Sequence, residues 1–229
     1  DPGYSILPAV YSKLTWDHAT DLVPVTMYAR TPLALVVHPS SRFKNLSDLV
    51  QYAKANPGKV TLGHSGAGTI GFVMMQQLMR DAKITLTDVP YKSGADILTA
   101  LMSNTVDLMV TGAPTIMGSL KGGSVRVLAM TSEQRWPGAE EVPTMAEQGV
   151  NVVNYLWFGL MAPKGTPASV INYLHKNSAA VMDDPKVKEA LTTQAAQAVA
   201  MGPADLTRLM QDDARNWAQM LKAANITPQ

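Results

Sequence analysis

The sequence contains no cysteine. Disulfides, thiolate metal sites and cysteine nucleophiles are thereby excluded in one step. The compartment is not, because a secreted protein can lack cysteine as easily as a cytosolic one. Charge is also sparse: charged residues make up 16% of the 229 and the formal net charge is +1. No basic face is therefore expected to grip nucleic acid, and no polybasic arm a membrane. No apolar run approaches the ~20 residues needed to span a bilayer, so a soluble protein is expected. A signal peptide is missing as well. The opening Asp1-Pro2-Gly3-Tyr4 lacks an initiator methionine, and the expectation is that the natural N-terminus lies upstream. What remains is a chain that is 46% hydrophobic, long enough to bury one large core or two small ones.

Short β-rich runs alternate with helical patterns, the signature of βαβ units and a mainly parallel sheet. Thr31 to Pro39 reads as a buried strand, Asn45 to Lys54 as a helix, and Asn56-Pro57-Gly58 as its stop. Val60 to Gly63 is a strand entering the loop His64 to Thr69, after which helical spacing continues to about Asp81. Thr87 to Tyr91 is extended, Ala95 to Ser103 helical, and Val106 to Val110 a strand ending at Thr111-Gly112-Ala113-Pro114. Val125 to Met130 and Tyr155 to Ala162 are further strands. Three helices follow: one with Pro167 in its first turn, one starting at Asp183-Asp184-Pro185, and an amphipathic one from Asp205 to Ala224.

Gly63 to Thr69 (GHSGAGT) is the most informative stretch. Glycines at a strand-to-helix junction leave backbone N–H groups free, and the positive end of the helix dipole faces whatever sits there. His64, Ser65, Gly66, Ala67, Gly68 and Thr69 are thus either an anion cradle or a tight turn that needs glycine for positive φ. The same letters nearly match the G-x-S-x-G nucleophile elbow of a serine hydrolase built on Ser65. Only His175 follows Ser65 in the chain, and it lies inside a helical run that reads it as a surface residue. Thr111 to Pro114 also ends a strand, where α/β folds place ligands, although taken alone an ordinary proline-closed turn explains it better. Tyr91 offers a phenol hydroxyl or a core ring. Of Trp157 and Phe158, strand alternation sends one inward and one outward. The four histidines share no metal-ligand spacing and no nucleotide fingerprint is present, so neither metal nor cofactor is expected.

The ordered motifs GYSIL, PAVYSKLTWD, LALVVHPSS, VTLGHSGAGT, VPYKSGADILTAL, VDLMVTGAP, VRVLAMTS, VPTMAEQGV and FGLMAPKGTP resemble the periplasmic solute-binding proteins of tripartite tricarboxylate transporters, the Bug family. The resemblance covers essentially the whole chain. It implies a two-lobed α/β clamshell of the type II periplasmic-binding-protein kind, with the ligand between lobes. Residues 1–38 and 132–229 would form the first lobe and 39–131 the inserted one. It implies a carboxylate held by the loop Ser65 to Thr69, with contacts from Thr111 to Pro114, Tyr91 and Phe158, and no catalytic residue. The family pattern also has a leading βαβ unit, and a Ser/Thr-rich loop after the strand that GYSIL is expected to form; both are missing here, so the sequence is expected to be incomplete. Relatives commonly carry an Asp-Asn pair where Thr111-Gly112 stands, and His64 and Phe72 replace smaller or polar residues. A roomier, less acidic pocket suggests a plain dicarboxylate, aromatic ones included. A periplasmic monomer that delivers its ligand to membrane permease subunits is the implied protein. The remaining alternatives are the Ser65 hydrolase and the effector domain of a transcription regulator, which shares the clamshell.

Overall fold

The computed structural model describes residues 1–226 and 228. Thr227 and Gln229, at the end of the lobe expected over 132–229, lie outside the described residues. The chain divides into two compact units: unit 1 comprises Asp1–Thr31 with Leu156–Gln229, and unit 2 is Pro32–Tyr155. The boundaries therefore fall at 31/32 and 155/156, not at 38/39 and 131/132. The reason lies in the segment after residue 131, which folds back onto unit 2. The Met130 N–H donates to the Pro143 carbonyl and the Met145 N–H to the Met130 carbonyl.

Unit 2 is built on a sheet of strand order β3-β2-β4-β1-β5, with β1 Leu22–Val37, β2 Thr61–His64, β3 Thr87–Pro90, β4 Leu108–Gly112 and β5 Arg126–Met130. Strands β2, β3 and β4 are mutually parallel, while β4 and β5 both pair antiparallel with β1. Four of the five strands thus point one way and β1 alone opposes them. Its second half, Leu33 to Val37, is fully apolar and buried, as a strand covered on both faces requires.

Helices α2 (Leu46–Ala55), α3 (Ile70–Ala82), α4 (Gly94–Met102) and α5 (Ala113–Lys121) connect these strands. Asn45 caps α2 by accepting from the Asp48 N–H, and α2 buries Leu46, Leu49 and Ala53 at helical spacing. Helix α3 buries Phe72, Val73, Met74, Met75 and Leu78, and ends with Lys83 in the left-handed conformation. Helix α5 is a correction: Pro114 does not close a turn but sits in the helix's first turn, where its missing N–H is harmless.

Unit 1 contains the first half of β1, strands β6 (Tyr155–Pro163) and β7 (Gln197–Met201), and helices α1 (Gly3–Val10), α6 (Ala168–Asp183), α7 (Pro185–Thr193) and α8 (Pro203–Ala223). Strand β7 pairs antiparallel with β1, Met27 facing Met201. Met27, Trp157 and Leu206 form its core cluster, with Val199, Met201, Leu209 and Met210 packed against it. Each such side chain contributes about 1.5–3 kcal/mol by leaving water. GYSIL is helical, not extended, and Pro8 lies inside that helix. Proline deprives the carbonyl four residues earlier of its partner. Here that carbonyl belongs to Tyr4, and the His18 ring takes it, while the Tyr4 hydroxyl donates to the His18 carbonyl at 2.8 Å. Among the described residues no helix is long and apolar enough to cross a membrane.

Candidate functional site

Three parallel strands, β3, β2 and β4, end side by side in unit 2, and each leads toward a helix. The three helix starts are finished differently. Ser93 caps α4, accepting from the Asp96 N–H at 3.2 Å. Helix α3 has Thr69 at its cap position, but the Thr69 hydroxyl donates to the Gly66 carbonyl at 2.8 Å and takes no helix N–H. Helix α5 begins directly from β4 at Gly112, which has no side chain to cap with. The first N–H groups of an α-helix lack intrahelical acceptors. Helices α3 and α5 therefore offer unfilled donors and two positive dipole ends at the carboxyl edge of adjacent strands.

The chain brings those two ends close by glycine. A Cβ on Gly71 would stand 3.1 Å from the Val110 carbonyl oxygen, so the first turn of α3 lies on the backbone of β4. A Cβ on Gly63 would come within 2.6 Å of the Ile97 side chain and 3.5 Å of the Tyr91 ring. Glycine at 63 thus lets α4 and Tyr91 seat against β2.

The loop itself is held by its own backbone. The Tyr91 N–H donates to the His64 carbonyl at 2.9 Å. The Gly66 N–H donates to His64 Nδ1 at 3.1 Å, and Gly66 has φ +116°, a conformation that disfavours any side chain. The His64 ring leans on Phe72, centroids 4.9 Å apart. Burial lowers the His64 pKa, opposed by the Asp88 charge, which favours the neutral ring that Gly66 needs as an acceptor. Beside it lies a depression of about 530 Å³ lined by Pro90, Tyr91, Lys92 and Asp96.

Eleven of the residues singled out from sequence, His64 to Thr69, Tyr91 and Thr111 to Pro114, thus gather at one edge of one sheet. Phe158 does not join them in unit 2; it belongs to β6 of unit 1, half-buried, with Trp157 buried beside it. Gly71 and its close approach to β4 were not singled out, although a glycine inside an apolar helical run is itself a sign of tight packing. The hydrolase constellation is not assembled. Ser65 is exposed and its hydroxyl makes no hydrogen bond among the described residues. His175 is half-buried where its helical spacing suggested an exposed residue: its Nδ1 lies 3.2 Å from the Thr26 hydroxyl in unit 1, and Gly202 packs against its ring. Among the described residues no three His, Asp or Glu side chains converge as a metal site.

The family model described as "Tripartite tricarboxylate transporter family receptor" matches residues 1–226. A protein from the tcbD-tcbE intergenic region of a Pseudomonas species is 31% identical over 92% of this chain and 63% of its own length. BugT of Bordetella pertussis is 28% identical over 96% of this chain and 67% of its own. The chain therefore spans about two thirds of such relatives or less; for one from Cupriavidus necator, 33% identical over 79% of this chain, the share is 55%. Among solved structures, an R. palustris protein determined with adipate superposes with TM-score 0.93 at 31% identity, covering 100% of this chain and 77% of that one. The periplasmic binding protein BugD gives 0.90 at 27%, over 100% of this chain and 77% of its own. MatC of Rhodopseudomonas palustris, with bound malate, gives 0.84 at 25%, over 96% and 75%. The fold is that of periplasmic binding proteins, and the chain belongs to the tripartite tricarboxylate transporter receptor family.

Proposed function

We propose that this protein captures a small organic dicarboxylate, aliphatic or aromatic, in the periplasm and delivers it to the permease of its transporter, acting as a monomer and without chemistry. The observation that carries the reading is the pair of uncapped helix starts at Thr69 and Gly112, set on adjacent parallel strands. One carboxylate group accepts the free N–H groups there, with the Ser65 hydroxyl on the same loop as a further donor. Charge-assisted hydrogen bonds of this kind are short and strong without any lysine or arginine. The adipate and malate held by related proteins support this substrate class. Thr111, where the family resemblance implies that relatives commonly carry an acid, does not supply the partner an amino group would need. The His64–Phe72 ring pair favours a ligand with an apolar or flat body. Phe158 enters the reading through the family resemblance alone.

The test is a thermal-shift screen of the protein against aliphatic and aromatic mono-, di- and tricarboxylates, amino acids and sugars. A ligand at ~100 Kd raises stability by about 2.7 kcal/mol, enough to move the midpoint visibly. Shifts confined to dicarboxylates, with no turnover of the compound, are expected. A response limited to amino acids would overturn the assignment.

A further inference from the structure

Helix α3 carries the uncapped start at one end, and a single polar side chain on its packed face ties it down further along. Gln77 continues the face of Ile70, Val73 and Met74, all buried. A polar group on such a face needs a partner. Its partner is Asn154, whose Nδ2 donates to Gln77 Oε1 at 2.9 Å. Asn154 is 8% exposed and has little freedom of its own. Its N–H donates to the Thr131 carbonyl at 3.0 Å, and its carbonyl accepts from the Thr131 hydroxyl at 2.5 Å. Thr131, fully buried, is bonded in turn to Leu33 of β1 through both its N–H and its hydroxyl oxygen, at 3.0 and 2.9 Å. A continuous relay of hydrogen bonds thus runs from β1 through Thr131 and Asn154 to the middle of α3. Gln77 lies eight residues from Thr69, about 12 Å along the helix axis.

We infer that Gln77 and Asn154 are positioning residues: they fix where the first turn of α3 presents its N–H groups to a carboxylate. The inference rests on the proposed binding function; apolar contacts are non-directional, whereas a hydrogen bond fixes both distance and angle. The polar pair sets that register, and because Asn154 is clamped at Thr131, the setting is referred to β1. Phe72 and Gly71, which touch His64 and β4, move with it.

The test uses the full chain, with adipate and malate as probes in titration calorimetry. Gln77→Leu removes the acceptor at nearly constant volume; Gln77→Glu keeps it. Gln77→Leu is expected to weaken binding of the better probe about tenfold, equivalent to about 1.4 kcal/mol, and Gln77→Glu to restore most of it. In the ligand-free protein, amide exchange at Val73, the first helix-bonded amide of α3, should accelerate in Gln77→Leu while that at buried Leu101 does not change. Wild-type affinity together with wild-type exchange at Val73 would refute the positioning role. So would exchange that rises uniformly at Val73 and Leu101, which marks a general loss of stability. If the wild-type chain binds neither probe nor any carboxylate of the thermal-shift screen, the carboxylate reading falls, and the exchange measurement still decides what the pair does to α3.

Discussion

Gly71 on α3 faces Val110 on β4 at close quarters: a Cβ there would lie 3.1 Å from the Val110 carbonyl oxygen, tighter than most side-chain contacts. Both contact groups belong to backbone, so neither can swing aside. Gly71→Ala should therefore destabilise the protein by about 1 kcal/mol, although alanine is the better helix former by roughly that amount. Urea denaturation measures the difference. A variant more stable than wild type would show that α3 can back away from β4 freely.

Gly66 holds φ +116°, where residues with a Cβ are strained by about 1–3 kcal/mol. Gly66→Ala is expected to lower stability by an amount in that range and to abolish the carboxylate-induced thermal shift, because the Gly66 carbonyl anchors Thr69. An unchanged ligand response in a destabilised protein would place binding elsewhere.

Thr111 occupies the end of β4, opposite Ala34. Thr111→Asp places a negative charge beside the start of α5. Dicarboxylate affinity should fall more than tenfold, about 1.4 kcal/mol or more, and ligands with an ammonium group should gain. Calorimetry with one dicarboxylate and the corresponding amino acid gives both numbers.

His64 supplies a pH test. Burial lowers its pKa in the folded state, against the Asp88 charge, while the unfolded ring titrates near ~6.5. Below that pH the unfolded chain binds the extra proton first, so stability declines as pH falls from about 6.5 toward the lower folded value. His64→Gln, which does not titrate, should flatten the decline between pH 7.5 and 5. Denaturation series whose slopes match would show that His64 titrates alike in both states.

Asp213 gives the opposite sign. Its carboxylate accepts the Trp157 Nε1–H at 3.0 Å, and burial raises its pKa, helped by Asp212, against that hydrogen bond. The group's favourable contribution is present below the ordinary aspartate range and is lost as pH rises through the raised value. Asp213→Asn keeps an acceptor for Trp157 and cannot ionise. It should raise the midpoint at pH 7.5 more than at pH 5, and equal gains at both would contradict the sign.

The β2–loop–α3 passage was legible because glycines, a short strand and a helical apolar period coincide at residues 60 to 81. The edge of parallel strands followed from alternation of strand and helix. What sequence could not show was set by distant partners. Gly3 to Val10 carries residues that suit a strand and a proline that opposes a helix, yet His18 supplies the acceptor's missing partner and the helix stands. Strand β7, Gln197–Met201, has one β-branched residue among alanines; its pairing with β1, Met27 with Met201 and Arg30 with Gln197, makes it a strand. Asn154 and Gln77 lie 77 residues apart, and nothing in either neighbourhood announces the other.

Unit 2 is one uninterrupted stretch, Pro32–Tyr155, whereas unit 1 is assembled from two pieces that flank it. A chain emerging from the ribosome N-terminus first has all of unit 2 available before β6, β7 or α8 exist. The unit with the two open helix starts can therefore fold first. Helix α1, which packs on α8, must wait for that helix to be made, with Ile6 and Val10, buried in the folded unit, still uncovered. While the chain is being made, that helix, not the loop Gly63 to Thr69, is the part left without its packing partner.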